Sequence, residues 1–207
     1  NGKVKMSFAN DGKTRRLTGV YPNADKKGSE IKWDIFITDE PEESMAIATP
    51  FDKKGYFYLN QKINCMRAEG WFSIGEEIKT FDAADSLATL DWGRGVWTYD
   101  NTWYWSSLHT RLADGKTFGW NLGYGFGNTQ AASEDMLFYE GKSHKIGRSK
   151  FVIAGDEEGK PKYMEDWKIF ADDGRVDCVF KPILDRQSPL DLKIMCMIPH
   201  QVFGRLY

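Results

Sequence analysis

Histidine and cysteine are both scarce, at three each in a chain of 207 residues. His109, His144 and His200 show neither HExxH nor short HxH spacing, so no metal site is predicted. Cys65, Cys178 and Cys196 are odd in number and lack CxxC spacing. That argues against a disulfide framework and favours a reduced, cytoplasmic setting, with one pair plus one free thiol left open. Charge of one sign is missing too: 28 basic residues face 30 acidic ones, a formal net charge of -2. Long-range attraction to nucleic acid or anionic lipid is therefore not expected. The basic pairs Arg15-Arg16 and Lys26-Lys27 sit among aspartates, which weakens a nucleic-acid reading further. No apolar run approaches the roughly 20 residues that span a bilayer. No charged segment followed by an apolar one marks a signal peptide. The chain starts at Asn1 and stops at Tyr207 without a polar tail, and it reads as a piece of a longer protein. GxxxxGK[ST] and GxSxG are absent, so neither a nucleotide cofactor nor an esterase-type serine at Ser106 or Ser107 is expected. No cofactor is predicted at all.

What the chain does have is strand signal. Ile31, Trp33, Ile35 and Ile37 alternate with Lys32, Asp34, Phe36 and Thr38. Leu190, Leu192, Ile194, Cys196 and Ile198 make a second period-2 face, and Val176, Cys178 and Phe180 a third. Residues 55–64 and 69–74 also read as strands. Asp11-Gly12, Asp114-Gly115 and Asp173-Gly174 are favoured tight turns, with a longer turn at 157–160. Helical signal is confined to a turn or two at 129–137 and a short stretch at 82–90. The fold expected is all-β and antiparallel, with curled sheets closing into lipocalin-like (calycin-like) barrels that are incomplete at both chain ends. A composition change near residues 65–70 divides a lysine-rich part from an aromatic one. The expected organisation is 1–65 as part of an N-terminal β lobe and 66–207 as most of a C-terminal barrel. An unpaired terminal strand would offer a route to homodimers by edge or face pairing.

The densest block runs from Asp91 to Gly127: DWGRGVW, TWYWSS and FGWNLGYGFGN. As a strand, 116–127 places Phe118, Trp120, Leu122, Tyr124 and Phe126 on one face. Thr117, Gly119, Asn121, Gly123, Gly125 and Gly127 fall on the other. A face of glycines has almost no side-chain volume, so something must cover it: neighbouring side chains, a bend in a barrel wall, or a ligand. Asn121 is the amide in its midst and needs a partner if buried, whether a backbone carbonyl or a ligand oxygen. Trp103 and Trp105 share a strand face, and Tyr104 points to the other side.

Among titratable groups, Asp91 stands beside Arg94, whose planar fork suits a bidentate carboxylate pair, either as a turn lock or as a site. Asp82 and Asp85 lie close by in sequence. His200 ends an apolar strand, a natural rim position, and His109 ends another. Asp91 as an acid and His200 as a base are the catalytic candidates. Arg94, Trp103, Tyr104, Trp105, Asn121 and Tyr124 are the ligand-binding ones.

FDAADSLATLDWGRGVW at 81–97, TWYWSS at 102–107, FGWNLGYGFGN at 118–128, ASEDMLFYEGKSHKIG at 132–147 and the final HQVFGRLY together resemble the bacterial family defined by a domain of unknown function, DUF2804. The resemblance runs through nearly the whole chain and is strongest from residue 66. It marks Asp91, Arg94, Trp103, Trp105, Asn121 and Tyr124 as motif residues without assigning their chemistry. Members tend to be longer than this chain. The family in turn is distantly similar to the two-lobed lipocalin-like barrels of the carotenoid hydratase group, which implies terpenoid or lipid-like ligands.

The leading functional expectation is a protein that binds a small apolar or amphipathic molecule, its polar end oriented by Asn121, Tyr104 and the Asp91–Arg94 pair. A cofactor-independent hydratase or lyase using Asp91 and His200 would need both groups to face one cavity. A carbohydrate-binding or carbohydrate-processing protein would use tryptophans in an open groove and paired carboxylates. A purely structural lobe would bury its tryptophans in a packed core.

Overall fold

The computed structural model describes residues 4–193 and 196–207. The chain divides into two compact units, Asn1–Asn101 with Trp105–Lys145, and Thr102–Tyr104 with Ile146–Tyr207. No helix occurs among the described residues, and none is long and apolar enough to cross a membrane. The short helices expected near 82–90 and 129–137 are instead turns that lead into strands from Leu87 and from Met136. Asp82 caps its own turn by accepting the Ala84 N–H on its carboxylate, and its carbonyl accepts from Asp85 and Ser86. Asn128 does the same for Gln130 and Ala131. Short polar side chains that bond nearby backbone compete with helix formation in this way.

Among the described residues the first unit holds eleven strands: β1 (Lys5–Asn10), β2 (Arg15–Tyr21), β3 (Ile31–Thr38), β4 (Met45–Pro50), β5 (Phe57–Ile74), β6 (Glu77–Phe81), β7 (Leu87–Val96), β8 (Tyr104–Arg111), β9 (Thr117–Tyr124), β10 (Met136–Tyr139) and β11 (Lys142–Lys145). Tyr104, the first residue of β8, is grouped with the second unit. The pairings among β1 to β7 and among β9 to β11 are antiparallel. β5 is the spine of a seven-stranded sheet. Residues 57–62 pair with β4 and residues 57–67 with β7, residues 67–74 pair with β3 and 70–74 with β6, and β3 leads out through β2 to β1. The two runs expected at 55–64 and 69–74 are thus one strand of 18 residues. Its ladder with β7 shifts register between Ile63 and Met66, where Cys65 has φ 63°. Farther along, Gly70 takes φ 132°, and a Cβ there would stand 2.1 Å from the Asp34 carbonyl oxygen. Only glycine lets β3 approach so closely. In β3 the expected alternation places Trp33 over Gly19 of β2, while Asp34 on the other face holds Arg16 in a two-pronged pair at 2.7 and 2.8 Å.

A second, four-stranded sheet of the same unit runs β11-β10-β9-β8. It meets the first through β9 and β5, where the Asn64 amide donates to the Trp120 carbonyl at 3.2 Å. Ile63, Met66, Leu122, Trp120 and Phe138 are among the buried apolar side chains.

The second unit contains β12 (Ser149–Val152), β13 (Trp167–Ala171), β14 (Asp177–Gln187), the short pair β15 (Leu190–Asp191) and β16 (Cys196–Met197), and β17 (His200–Leu206). Its four-stranded sheet has the order β12-β13-β14-β17. Pro182, which has no N–H to donate, sits where the β14–β17 register shifts. Phe151, Ile169, Ala171 and Val176 form its core, with Trp167 against Phe180 at 5.0 Å. Val176, Cys178 and Phe180 lie inward of their neighbours, as the alternation predicts. The long face expected over 190–198 is broken. Leu190, Leu192 and Ile198 are exposed, and Ile194 lies outside the described residues.

The all-β expectation holds, but the curled lipocalin-like or calycin-like β-barrel does not: among the described residues no sheet closes on itself. The physical reason lies in β5. By pairing with two partners along each edge it branches the sheet instead of rolling it up, and the outer strands β1, β4, β6 and β7 do not pair with one another. Nor do the glycines of β9 curve a wall. They make room for side chains arriving from elsewhere in the unit.

Candidate functional site

The side chains of Tyr58, Asn60, Lys62 and Asn64 share one face of β5, because strand residues two apart point the same way. That row is polar, yet Asn60 is 1 % exposed, Lys62 3 % and Asn64 0 %. Across the ladder, Lys62 is opposite Asp91 and Asn60 opposite Gly93 of β7. β9 presents its glycine face to this row. A Cβ on Gly119 would lie 2.2 Å from Asn64 Oδ1, and one on Gly123 would lie 2.6 Å from Glu134 Oε1.

A buried lysine must be paired, since an isolated ammonium in a dry interior is very costly. Lys62 Nζ donates to Asp91 Oδ1 in a short contact and lies 5.0 Å from the Trp105 ring centre, a cation–π distance. The Trp105 indole N–H donates to Asn121 Oδ1 at 2.8 Å. Asn121 Nδ2 in turn donates to the Glu134 carbonyl at 3.0 Å and to Glu134 Oε2 at 3.1 Å. Lys62, Asp91, Trp105, Asn121 and Glu134 therefore form one connected network. Its floor is held by Asp135, buried and bonded to the Gly123 N–H and the Ser133 hydroxyl. Asp91 is 41 % exposed and opens the network to solvent.

Burial raises the Glu134 carboxyl above its ordinary 4.5; the neighbouring Lys62 charge and the Asn121 amide pull against that rise, and Asp91 and Asp135 add to it. Burial also raises the Tyr58 phenol, helped by the charges of Asp91 and Glu134. Because the folded Glu134 binds its proton more tightly than the unfolded chain does, its contribution to stability is complete below about 4.5 and is lost as pH rises through the folded value. Urea melts in small pH steps upward from 4.5 are expected to show that decline, and Glu134→Gln is expected to flatten it. An unchanged slope in the variant would assign the decline to another group.

An aromatic cluster adjoins the network through Tyr58. Its ring packs 5.0 Å from Phe126 and 6.1 Å from Trp97, Trp97 lies 5.7 Å from Phe126, and Phe51 closes the far side 5.4 Å from Phe126. Trp97 is about half exposed. Gly93 is needed here, since a Cβ on it would stand 2.4 Å from the Tyr58 hydroxyl.

Asp91, Trp105 and Asn121, all singled out from the sequence, are brought together. Arg94 is not part of this group: it alternates to the other face of β7, and the ion pair of Asp91 is with Lys62. Tyr124 lies on the face of β9 opposite Asn121 and the glycines. Trp103 and Tyr104 belong to the second unit. There Tyr104 packs edge-on against Phe151 at 6.4 Å. His200, also in that unit, is held by Asp185 at 2.8 Å from Nδ1 and lies against the Tyr163 ring at 4.1 Å. Gln187 donates to the same Asp185 oxygen at 2.9 Å. Asp91 and His200 thus sit in different units. Asp85 binds the Ser86 hydroxyl next to it. His109 pairs with Thr89 at 3.0 Å, and burial pushes its pKa down. Burial lifts the Cys65 thiol to about 11, which removes it as a nucleophile near neutrality. All three cysteines are free.

Lys62, Glu134, Tyr58 and Asn60 were missed by sequence reasoning. The available signal was the alternation Tyr58, Asn60, Lys62, Asn64, which reads as a solvent face. Only the glycine face of β9, which needs a cover, hinted that a polar row would meet it.

Fold and site define an open-sheet, all-β protein with a buried lysine–carboxylate network beside an aromatic cluster. The chain belongs to the family described as domain of unknown function DUF2804, which it matches over residues 1–207. No curated protein and no solved structure matches it. The comparisons thus give no link to the lipocalin-like carotenoid hydratase group.

Proposed function

We propose that this protein binds a small amphipathic molecule on its first unit, with the polar end at the Lys62 network and the apolar part on the aromatic cluster of Tyr58, Trp97 and Phe126. The observation that carries this reading is Tyr58 itself. Its ring belongs to the aromatic cluster, while its hydroxyl senses the charges of Asp91 and Glu134. Polar and apolar recognition surfaces are therefore continuous within one unit. A few fixed polar groups set against apolar and aromatic surface is the usual composition of a small-molecule site. Half-exposed Asp91 and Trp97 give a ligand access to both parts.

The test is native mass spectrometry of gently purified protein, followed by denaturing extraction and identification of what is released. A stoichiometric amphipathic molecule, retained by wild type and lost from a Trp97→Ala variant, is the expected result. A protein that arrives empty and also shows no saturable binding of amphiphiles by calorimetry would refute the reading.

A further inference from the structure

The hydrogen-bonding capacity left open in the network limits what the polar end of a ligand can be. Lys62 carries three N–H donors, of which Asp91 Oδ1 takes one. Lys62 bonds Asp91 at Oδ1 and Asn121 bonds Glu134 at Oε2, so the second oxygen of each carboxylate stands outside these bonds. Asn60 Oδ1 is buried with no partner, on a side chain that is 1 % exposed and shares a strand face with Tyr58 and Lys62. An orphaned buried acceptor of this kind is costly until something donates to it. On the donor side stand the remaining Lys62 hydrogens and the Tyr58 hydroxyl, which is already hydrogen-bonded to the Asn60 side chain but keeps a proton to give.

An occupant that fits such a rim must both donate and accept. An ionised carboxylate only accepts, and a protonated amine only donates. Charge points the same way. The two carboxyl groups of Asp91 and Glu134 surround a single ammonium, so an added anion meets their repulsion; against a cation it is the lack of any acceptor that decides.

We propose that the polar end recognised here is an uncharged hydroxyl group, which donates to the Asn60 or Asp91 oxygen and accepts from Tyr58 or Lys62, and that carboxylates are rejected. This inference rests on the amphipathic-ligand reading above and narrows it to alcohols.

Three probes with one tail separate the cases: decan-1-ol, decanoate and decylamine, each titrated by calorimetry below the concentration at which it self-associates. Decanol is expected to bind at least 10-fold more tightly than either charged probe. Asp91→Asn removes one negative charge from a half-exposed position and is expected to narrow the decanol–decanoate gap severalfold. Glu134→Gln is expected to act in the same direction. Decanoate or decylamine binding as tightly as decanol overturns the hydroxyl assignment and leaves the amphipathic reading standing. An unchanged gap in both variants also overturns the assignment. If none of the three probes binds, both readings fall together.

Discussion

Replacing Lys62 with alanine is expected to lower the unfolding free energy of the first unit by about 3 kcal/mol, near the lower end of what breaking a buried ion pair costs. The lysine side chain is 4 % exposed, whereas Asp91 is 41 % exposed and retains solvent screening, which keeps the loss from the top of that range. Most of the cost falls on the groups left behind. Glu134 loses the neighbouring charge that opposes its rise in pKa, and the Trp105 ring loses its cation. Urea unfolding followed by tryptophan fluorescence measures the difference. A second arm isolates its cause. Adding Glu134→Gln to Lys62→Ala is expected to recover part of the loss, because the removed carboxylate no longer needs a cation. A single variant within 0.5 kcal/mol of wild type would mean that the network carries no appreciable stability.

Gly119→Ala is the other large effect, at about 3 kcal/mol or more, because overpacking here forces backbone as well as side chain to move. The added methyl would lie 2.2 Å from Asn64 Oδ1, 2.6 Å from the Leu108 carbonyl oxygen and 2.9 Å from the Cys65 sulfur. Asn64 cannot turn aside cheaply, since its amide also donates to the Trp120 carbonyl, and the Leu108 oxygen is part of the neighbouring strand. Gly155→Ala is the matched control, with nothing nearer than 3.6 Å. It is expected to stay within about 0.5 kcal/mol of wild type, as substitutions free of packing conflict do. For a chain of this size, the Gly119 variant should melt roughly 6–12 °C lower. Equal melting temperatures for the two variants would contradict the close packing of β5 on β9.

Much of this architecture is legible in the sequence. The period-2 alternations of β3 and of β14 mark strands, and the Asp-Gly pairs mark turns, because both depend on local sterics and side-chain direction. The one-sided glycine face of β9 is legible as a place that must be covered, and Asn121 in its midst as a group needing partners. What covers it is not legible. Lys62 stands among Asn60, Gln61 and Asn64, and nothing local distinguishes a polar row in water from one buried against a glycine strand that begins 55 residues farther on. The choice of partner for Asp91 was missed for a related reason. Arg94 is near in sequence, but residues three apart on a strand face opposite ways, so the cross-strand neighbour takes the carboxylate. The barrel expectation failed at the same level. Strand content and glycine bends are local properties, while closure depends on which strands end up side by side, and β5 commits both of its edges to separate partners.

That arrangement has a consequence for how the protein is made. During synthesis β5 leaves the ribosome after β3 and β4 but before β6, β7 and β9. At that stage Lys62 stands in water, on a sheet face with neither its counter-ion nor its cover. It is enclosed only once β7 has supplied Asp91 and the second sheet has been laid down. The reactivity of this one amine toward an acylating reagent therefore reports the completion of folding: nascent or truncated chains should be labelled at Lys62, and the finished molecule should be protected there.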